Sequence, residues 1–338
     1  MIANLTITRE NFDSLSALYS NANSSLNWNL VFTLPGWLKV WWQNFGSGAE
    51  LYIKAINLGD QIVGIAPLQI RQNVASIIGS VNVCDYQDFI ISPGMETDFF
   101  NALLYNLQEK GIEQLHLEPV RPDSSIATFL LPLALERQYQ VNYRQLDVST
   151  EINLPPSWDI YLDVLDGKQR HELRRKMRNL DRILGTNYRV IENKNSLPEA
   201  MNTFLKLFPE YRNDKAEFMS GEMQGFFRSL TGTLAELGIL KFGVLEDSAR
   251  KPIAMIMYFD YNNDIFLYNS AYDPDYRSKS VGIISKARCI QDSIEKKKRK
   301  LDFLKGPEQY KYYLGGKELQ LYSCDISLRE GESKGKKF

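Results

Sequence analysis

The sequence predicts an α/β (α+β) protein of two domains, each a mixed, mostly antiparallel sheet flanked by helices. Three observations carry this prediction: the length, a readable succession of strand and helix periodicities from residue 187 onward, and a first half that parses into the same succession. At 338 residues with 44% hydrophobic content, the chain can bury more than one sizeable core, and chains of this size usually divide.

In the second half, NYRVIEN reads as a strand. Ser196 and Glu199 offer a capping box for a helix reaching about Asn213, because a serine oxygen and a carboxylate three residues on can satisfy orphan amides. A second helix spans Gly221 to Leu237, with Gly238 placed to take the left-handed conformation after it. The strands ILKFGVLE, PIAMIMYFD and DIFLYNSA follow, separated by DSARK and YNN. Ile283, Ala287, Ile290 and Ile294, at spacings of 4, 3 and 4, define the next helix. The short strand LDFL, a short helix between Pro307 and Gly315, and the strand LQLYSCDIS complete the order β-α-α-β-β-β-α-β-α-β.

The first half runs LTI, a helix over 10–20, a Trp-rich helix over 35–45 and strands over 51–57 and 61–70 around Gly59-Asp60. It continues with strand material in 74–91, a helix over 96–110, the strand IEQLHLEPV, a helix over 124–136 and the strand YQVNYRQLD. Pro155 and Pro156 mark the boundary, and GESKGKKF reads as a frayed tail.

Composition excludes several classes. Forty basic against 41 acidic residues give a net charge of −1, so attraction to nucleic acid or membrane needs a local patch. Cys84, Cys289 and Cys324 form no CxxC pair and only His116 and His171 accompany them, which argues against a structural disulfide or a metal. The same scarcity disfavours covalent nucleophilic catalysis. With no basic-then-apolar leader and no run of about 18 apolar residues, the chain is expected in the cytoplasm, at most peripheral to the inner membrane face.

Residues 168–182 hold Lys168, Arg170, Arg174, Arg175, Lys176, Arg178 and Arg182 against Glu172 and Asp181. Leu173, Met177, Leu180 and Leu184 form an apolar stripe, and Arg170, Arg174, Arg178 and Arg182 recur every four residues on another face. A solvated face explains such a run. The functional readings are coenzyme phosphates, a polyphosphate-linked glycan, an acidic membrane surface or tRNA. Trp37, Trp41 and Phe45 share a helix face and are expected in the core, whereas Trp42 points elsewhere. Asp85-Tyr86-Gln87-Asp88 pairs carboxylates with a ring, a composition able to bind sugar hydroxyls or an amine, and equally a turn with satisfied carboxylates.

The element order of the second half resembles the acyltransferase fold of the GNAT superfamily, whose signature Q/R-x-x-G-x-G/A lies between the fourth strand and the third helix. Arg277-Ser278-Lys279-Ser280-Val281-Gly282 sits at that junction, with Ser280 replacing the first glycine. Successive amides at a helix start can cradle a pyrophosphate there. A more specific resemblance is to the CelD-type acetyltransferases, associated with cellulose biosynthesis and related to the FemAB aminoacyl transferases. It rests on WLKVWWQNFG, VGIAPL, Asp85-Tyr86-Gln87-Asp88, SWDIYL, KQRHELRRKMRNL, Tyr272-Asp273-Pro274-Asp275-Tyr276 and DFLKGPEQYK.

The resemblance implies tandem GNAT-like folds: a degenerate acceptor-side domain over 1–150, a linker with the basic helix over 151–186, a donor-side domain over 187–328, and a tail over 329–338. It implies acetyl-CoA or another acyl-CoA as donor, bound by Arg277, Ser278, Lys279, Ser280, Val281, Gly282 and Lys305. The acceptor would be a small molecule or glycan precursor, held with help from Trp42, Asp85, Tyr86, Asp88, Arg174 and Arg178. By position Tyr310 matches the family's acid, with Tyr312 and Tyr313 as rivals. Asp302 and Glu308 are the candidate bases, and Lys311 or Lys305 would neutralise phosphate or oxyanion charge. Two alternatives remain: a tRNA-dependent transferase of the FemAB kind, and a non-catalytic binding protein that keeps the fold.

Overall fold

The computed structural model describes residues 5–80, 82–208 and 220–329, which divide into two compact units. The first holds the described residues up to Asp147 together with those from Gln320, and the second runs from Val148 to Leu319.

The first unit contains β1 (Leu5–Arg9), β2 (Glu50–Leu58), β3 (Gln61–Arg71), β4 (Val74–Ile77), β5 (Ile90–Ile91), β6 (Gln114–Val120) and the first part of β7 (Gln140–Asn153). Its sheet order is β1-β2-β3-β4-β6-β13-β7, where β13 is Lys317–Ser327, and β5 pairs with β3. Its helices are α1 (Phe12–Ser20), α2 (Pro35–Phe45), α3 (Glu96–Glu109) and α4 (Leu131–Glu136), the last entered through a π-helical turn at Ile126–Leu130. β6 and β13 are antiparallel, with His116 opposite Asp325 and Leu117 opposite Cys324. Leu117, Cys324 and Ile326 thereby join a core closed by Phe99, Phe100, Leu103 and Leu107 of α3. The sequence reading gives this last strand to the second domain. Which sheet a strand enters is decided by long-range packing, and local pattern does not encode it.

The second unit orders its strands β7-β12-β11-β10-β9-β8, with β8 (Asn187–Ile191), β9 (Leu240–Glu246), β10 (Pro252–Tyr261), β11 (Asp264–Tyr272) and β12 (Lys300–Lys305). Its described helices are α5 (Trp158–Val164), α6 (Gly167–Leu184), α7 (Leu197–Lys206), α8 (Gly221–Glu236), α9 (Val281–Glu295) and α10 (Gln309–Tyr313). Strand residues alternate between two apolar layers. Leu245, Ile256, Tyr258 and Leu267 share a core with Val281, Ile284 and Ile290 of α9, while Phe242 meets Phe204 of α7 and Tyr268 meets Phe227 of α8.

Residues 151–186, read from sequence as a linker, are built into this unit. Tyr161, Leu162, Leu173, Met177 and Leu180 enter the α9 core, because the apolar stripe of α6 must be covered. The expected capping box at Ser196 does not form. Ser196 has φ −94 and ψ −16, a helical setting from which its side chain caps nothing, since a capping side chain needs an extended backbone. Capping boxes occur instead at Asn11 with Ser14 and at Asp166 with Gln169. Gly238, at φ 68, takes the left-handed conformation after α8. The end of the helix expected to reach 213 and the tail from 330 lie outside the described residues. Cys84, Cys289 and Cys324 are free and buried.

Candidate functional site

β11 and β12 run parallel and pair only at Asp264 with Lys300, Ile265 with Leu301 and Phe266 with Asp302. Beyond that point they part. β11 carries an irregularity there: Met257 and Tyr258 of β10 face Asn269 and Leu267, leaving Tyr268 as an extra residue. Such a bulge disrupts the ladder and bends the strand, and it recurs beside active sites. β12 turns away through Leu304, at φ 63, and Gly306, at φ 111, while its Lys305 pairs with Ser149 of β7.

At the far end of β11, Asp273 accepts from the Asp275 amide and opens a 3-10 turn, Pro274–Lys279. Ser280 then adopts φ 59 and ψ 27 and starts α9 without a side-chain cap. The amides of Val281 and Gly282, in the first turn, have no intrahelical acceptor and present the positive end of the helix dipole. Arg277 and Lys279 are exposed beside them. A Cβ at Gly282 would meet the Tyr272 ring at 3.3 Å, so the glycine lets the ring close over the helix start.

One turn on, Lys286 is 5% exposed. Its Nζ donates to Ser270 Oγ at 3.0 Å and to the Gly282 carbonyl at 3.0 Å, and lies 4.5 Å from the Tyr310 ring centroid. Tyr310, on α10, also meets the Phe303 ring edge to face. Lys286, Ser270 and Tyr310 thus come together where β11 and β12 have separated, as the turn after β12 returns α10 toward α9. Sequence reasoning missed Lys286, Ser270 and the bulge. A signal for the first existed: a lysine three residues after Ile283, on the helix face that carries Ile290 and Ile294.

The other predicted chemistry residues divide. Lys311 is 1% exposed, and its Nζ donates to the carbonyls of Leu304, Lys305 and Gly306 at 2.9, 2.7 and 3.0 Å while pairing with Glu308 at 2.9 Å. This clasp holds the irregular end of β12 and corrects the expectation that Lys311 neutralises substrate charge. Asp302 is fully buried and accepts from the Leu304 amide at 2.8 Å. Glu308, at the start of α10, is the accessible carboxylate of the two. Tyr312 bonds Glu318, and Tyr313 lies under Lys176 at 5.2 Å with its hydroxyl toward the Gln169 carbonyl. Arg174 and Arg178 are exposed on α6.

In the first unit, Tyr86 is buried, edge to face with Phe32 and beneath the Arg121 guanidinium at 4.9 Å. Asp88 accepts from the Phe89 amide at 2.9 Å, from the Ser125 amide at 2.8 Å and from the Ser125 hydroxyl. It therefore caps the turn leading to α4, and desolvation raises its carboxyl to about 6 against the hydrogen bonds of Ser125. Asp88 is thus a satisfied carboxylate in a turn, and Tyr86 is 1% exposed. Asp85 is partly exposed, and Trp42 is partly exposed and folded against Gly46, while Trp37 and Trp41 are core residues as their face predicts.

Residues 167–312 match the family model described as acetyltransferase (GNAT) domain. No curated protein matches the chain. Among solved structures, FemX is similar with TM-score 0.66 and 11% identity, covering 95% of this chain and 96% of that one. L-PGS from Bacillus licheniformis is similar with TM-score 0.60 and 11% identity, over 96% and 94% of the two chains. A conserved protein of unknown function from Bacteroides thetaiotaomicron gives 0.58 and 11% over 96% and 99%. At these identities the likeness is one of fold. The class is that of acyltransferase folds of the GNAT type. The segment that matches the family model is the one that carries the β11 and β12 opening and α9, and it reaches into α10. Among the described residues no helix is long and apolar enough to cross a membrane, and no group of three His, Cys, Asp or Glu residues could hold a metal ion.

Proposed function

We propose that the chain transfers an acetyl or other acyl group from a CoA thioester to a hydroxyl or amine of a saccharide or cell-envelope precursor, as a CelD-type acetyltransferase. The observation that carries this reading is the parting of β11 from β12 at the Tyr268 bulge, with the uncapped start of α9 on one side and Tyr310 on the other. The Val281 and Gly282 amides, with Arg277 and Lys279, suit a pyrophosphate, and Lys305 lies on the opposite strand. Backbone freed at the bulge suits a thioester carbonyl. Tyr310 gives a proton to the departing thiolate, and Glu308 takes one from the acceptor. A CoA donor implies action in the cytoplasm.

Calorimetric titration with acetyl-CoA and CoA tests the donor, with Arg277→Ala and Gly282→Trp as controls whose fold is checked by circular dichroism. Saturable binding, lost in folded controls, is expected. No binding to the wild type would exclude CoA. Ser280 puts a side chain where the CoA-binding signature has its first glycine, which counts against CoA and keeps aminoacyl-tRNA as the second donor to test. Transfer from charged tRNA in the absence of CoA binding would select it.

A further inference from the structure

The side of α6 turned away from its core carries a line of cations. Leu173, Met177 and Leu180 are buried, while Lys168, Arg175, Arg178 and Arg182 are exposed on the opposite side, at spacings of 7, 3 and 4. At the helical rise this line is about 21 Å long. The chain neutralises part of the helix, Arg175 of the line included. Arg170 meets Asp163 of α5 at 2.5 Å, Arg174 meets Asp159 at 3.8 Å, and Glu172 takes Lys176 at 3.0 Å and Arg175 at 3.9 Å. Arg178 and Arg182 face no carboxylate within ion-pair distance among the described residues. Leaving several like charges in line costs self-repulsion, which an anionic partner relieves.

Aliphatic side chains accompany the cations. Ile183, next to Arg182, is 57% exposed, and Ile160 and Val164 of α5 are 48% and 59% exposed. One such residue is ordinary surface, but three on two neighbouring helices beside a row of arginines is the composition of a helix lying at a lipid headgroup boundary. The exposed residues of α5 and α6 include no Phe, Tyr or Trp. Nucleic-acid bases bind by stacking on such rings, so this surface fits lipid better than a single-stranded RNA. α6 also touches the helices that frame the β11 and β12 opening, through Lys176 over Tyr313 and an ion pair of 2.7 Å between Asp181 and Arg288 of α9.

From this we infer that the outer face of α6, with Ile183 and the α5 residues Ile160 and Val164, docks on an anionic membrane surface and holds the acyltransferase domain against it. The inference does not depend on which donor the domain uses. It is tested by sedimentation of the full chain with phosphatidylcholine vesicles, with and without phosphatidylglycerol, at low and near-physiological ionic strength. Binding only to the anionic vesicles, weakening with salt, is expected. Arg178→Gln with Arg182→Gln should lower the partition coefficient about 30-fold, and Ile183→Ser should lower it without changing the salt dependence. All three positions are solvent-exposed, and unchanged thermal unfolding establishes that the variants fold. Equal binding by the double variant, no binding to anionic vesicles, or a preference of the same face for tRNA in a mobility-shift assay would overturn the inference.

Discussion

The Lys286 ammonium rests 4.5 Å above the ring of Tyr310, tying a helix that follows β11 to a helix that follows β12. The two strands have separated by then, so this contact spans the opening that their separation leaves. Replacing Tyr310 by Phe keeps the ring and the cation contact but removes the proton. We expect kcat to fall at least about 100-fold with little change in KM, and unchanged turnover would remove Tyr310 from the chemistry. Lys286→Met should instead cost stability, about 1–2 kcal/mol for a lost charged donor, as read by urea denaturation.

Ser280 holds a left-handed backbone that a side chain disfavours. Ser280→Gly should therefore raise stability by about 1 kcal/mol in thermal unfolding. A lower melting temperature would mean that the serine side chain has a partner more valuable than the relieved strain.

Lys311 is expected to behave as a structural residue. Lys311→Met leaves the carbonyls of Leu304, Lys305 and Gly306 without their common donor, and at about 1 kcal/mol or more for each orphaned acceptor the loss should reach about 3 kcal/mol. Arginine should not rescue it, because the guanidinium fork does not fit a site shaped for an ammonium. A variant with wild-type stability and no turnover would return Lys311 to the catalytic set.

Asp88 gives the first unit a pH dependence of defined sign. Its carboxyl sits near 6 in the fold against 3.8 without it. The folded state therefore keeps the proton through a range in which the unfolded chain has lost it, and this contribution to stability declines as pH rises from about 4 to 6. The decline is at most about 3 kcal/mol, and less because the side chain retains some solvent contact. Denaturation of Asp88→Asn and wild type across this range measures it: the difference between them should shift in the variant's favour as pH rises. A constant difference would show that Asp88 is ionised throughout.

The periodic elements were legible in the sequence because each rests on its own residues. Ile283, Ala287, Ile290 and Ile294 announce α9, and Leu173, Met177 and Leu180 announce the buried face of α6. What remained hidden depends on partners far away in the chain. Nothing in Asn269 or Leu267 signals that Tyr268 between them falls out of register with β10. Likewise DFLKGPEQYK shows a lysine beside a tyrosine but not that one is sealed under carbonyls while the other faces the opening. The Asp85–Asp88 segment reads two ways in the sequence for the same reason, since two of the donors to Asp88 belong to Ser125 and lie 37 residues on.

The pairing of β6 with β13 also imposes an order on synthesis. Gln114 and Asp325, bonded across these strands, are 211 residues apart. A ribosome exposes β6 long before its neighbour has been translated, and every residue of the second unit is made in the interval. Until then β6 is an open strand edge and the apolar cluster under α3 lacks Cys324 and Ile326. The second unit is thus free to fold first, and the nascent first unit is the part that needs shielding from aggregation.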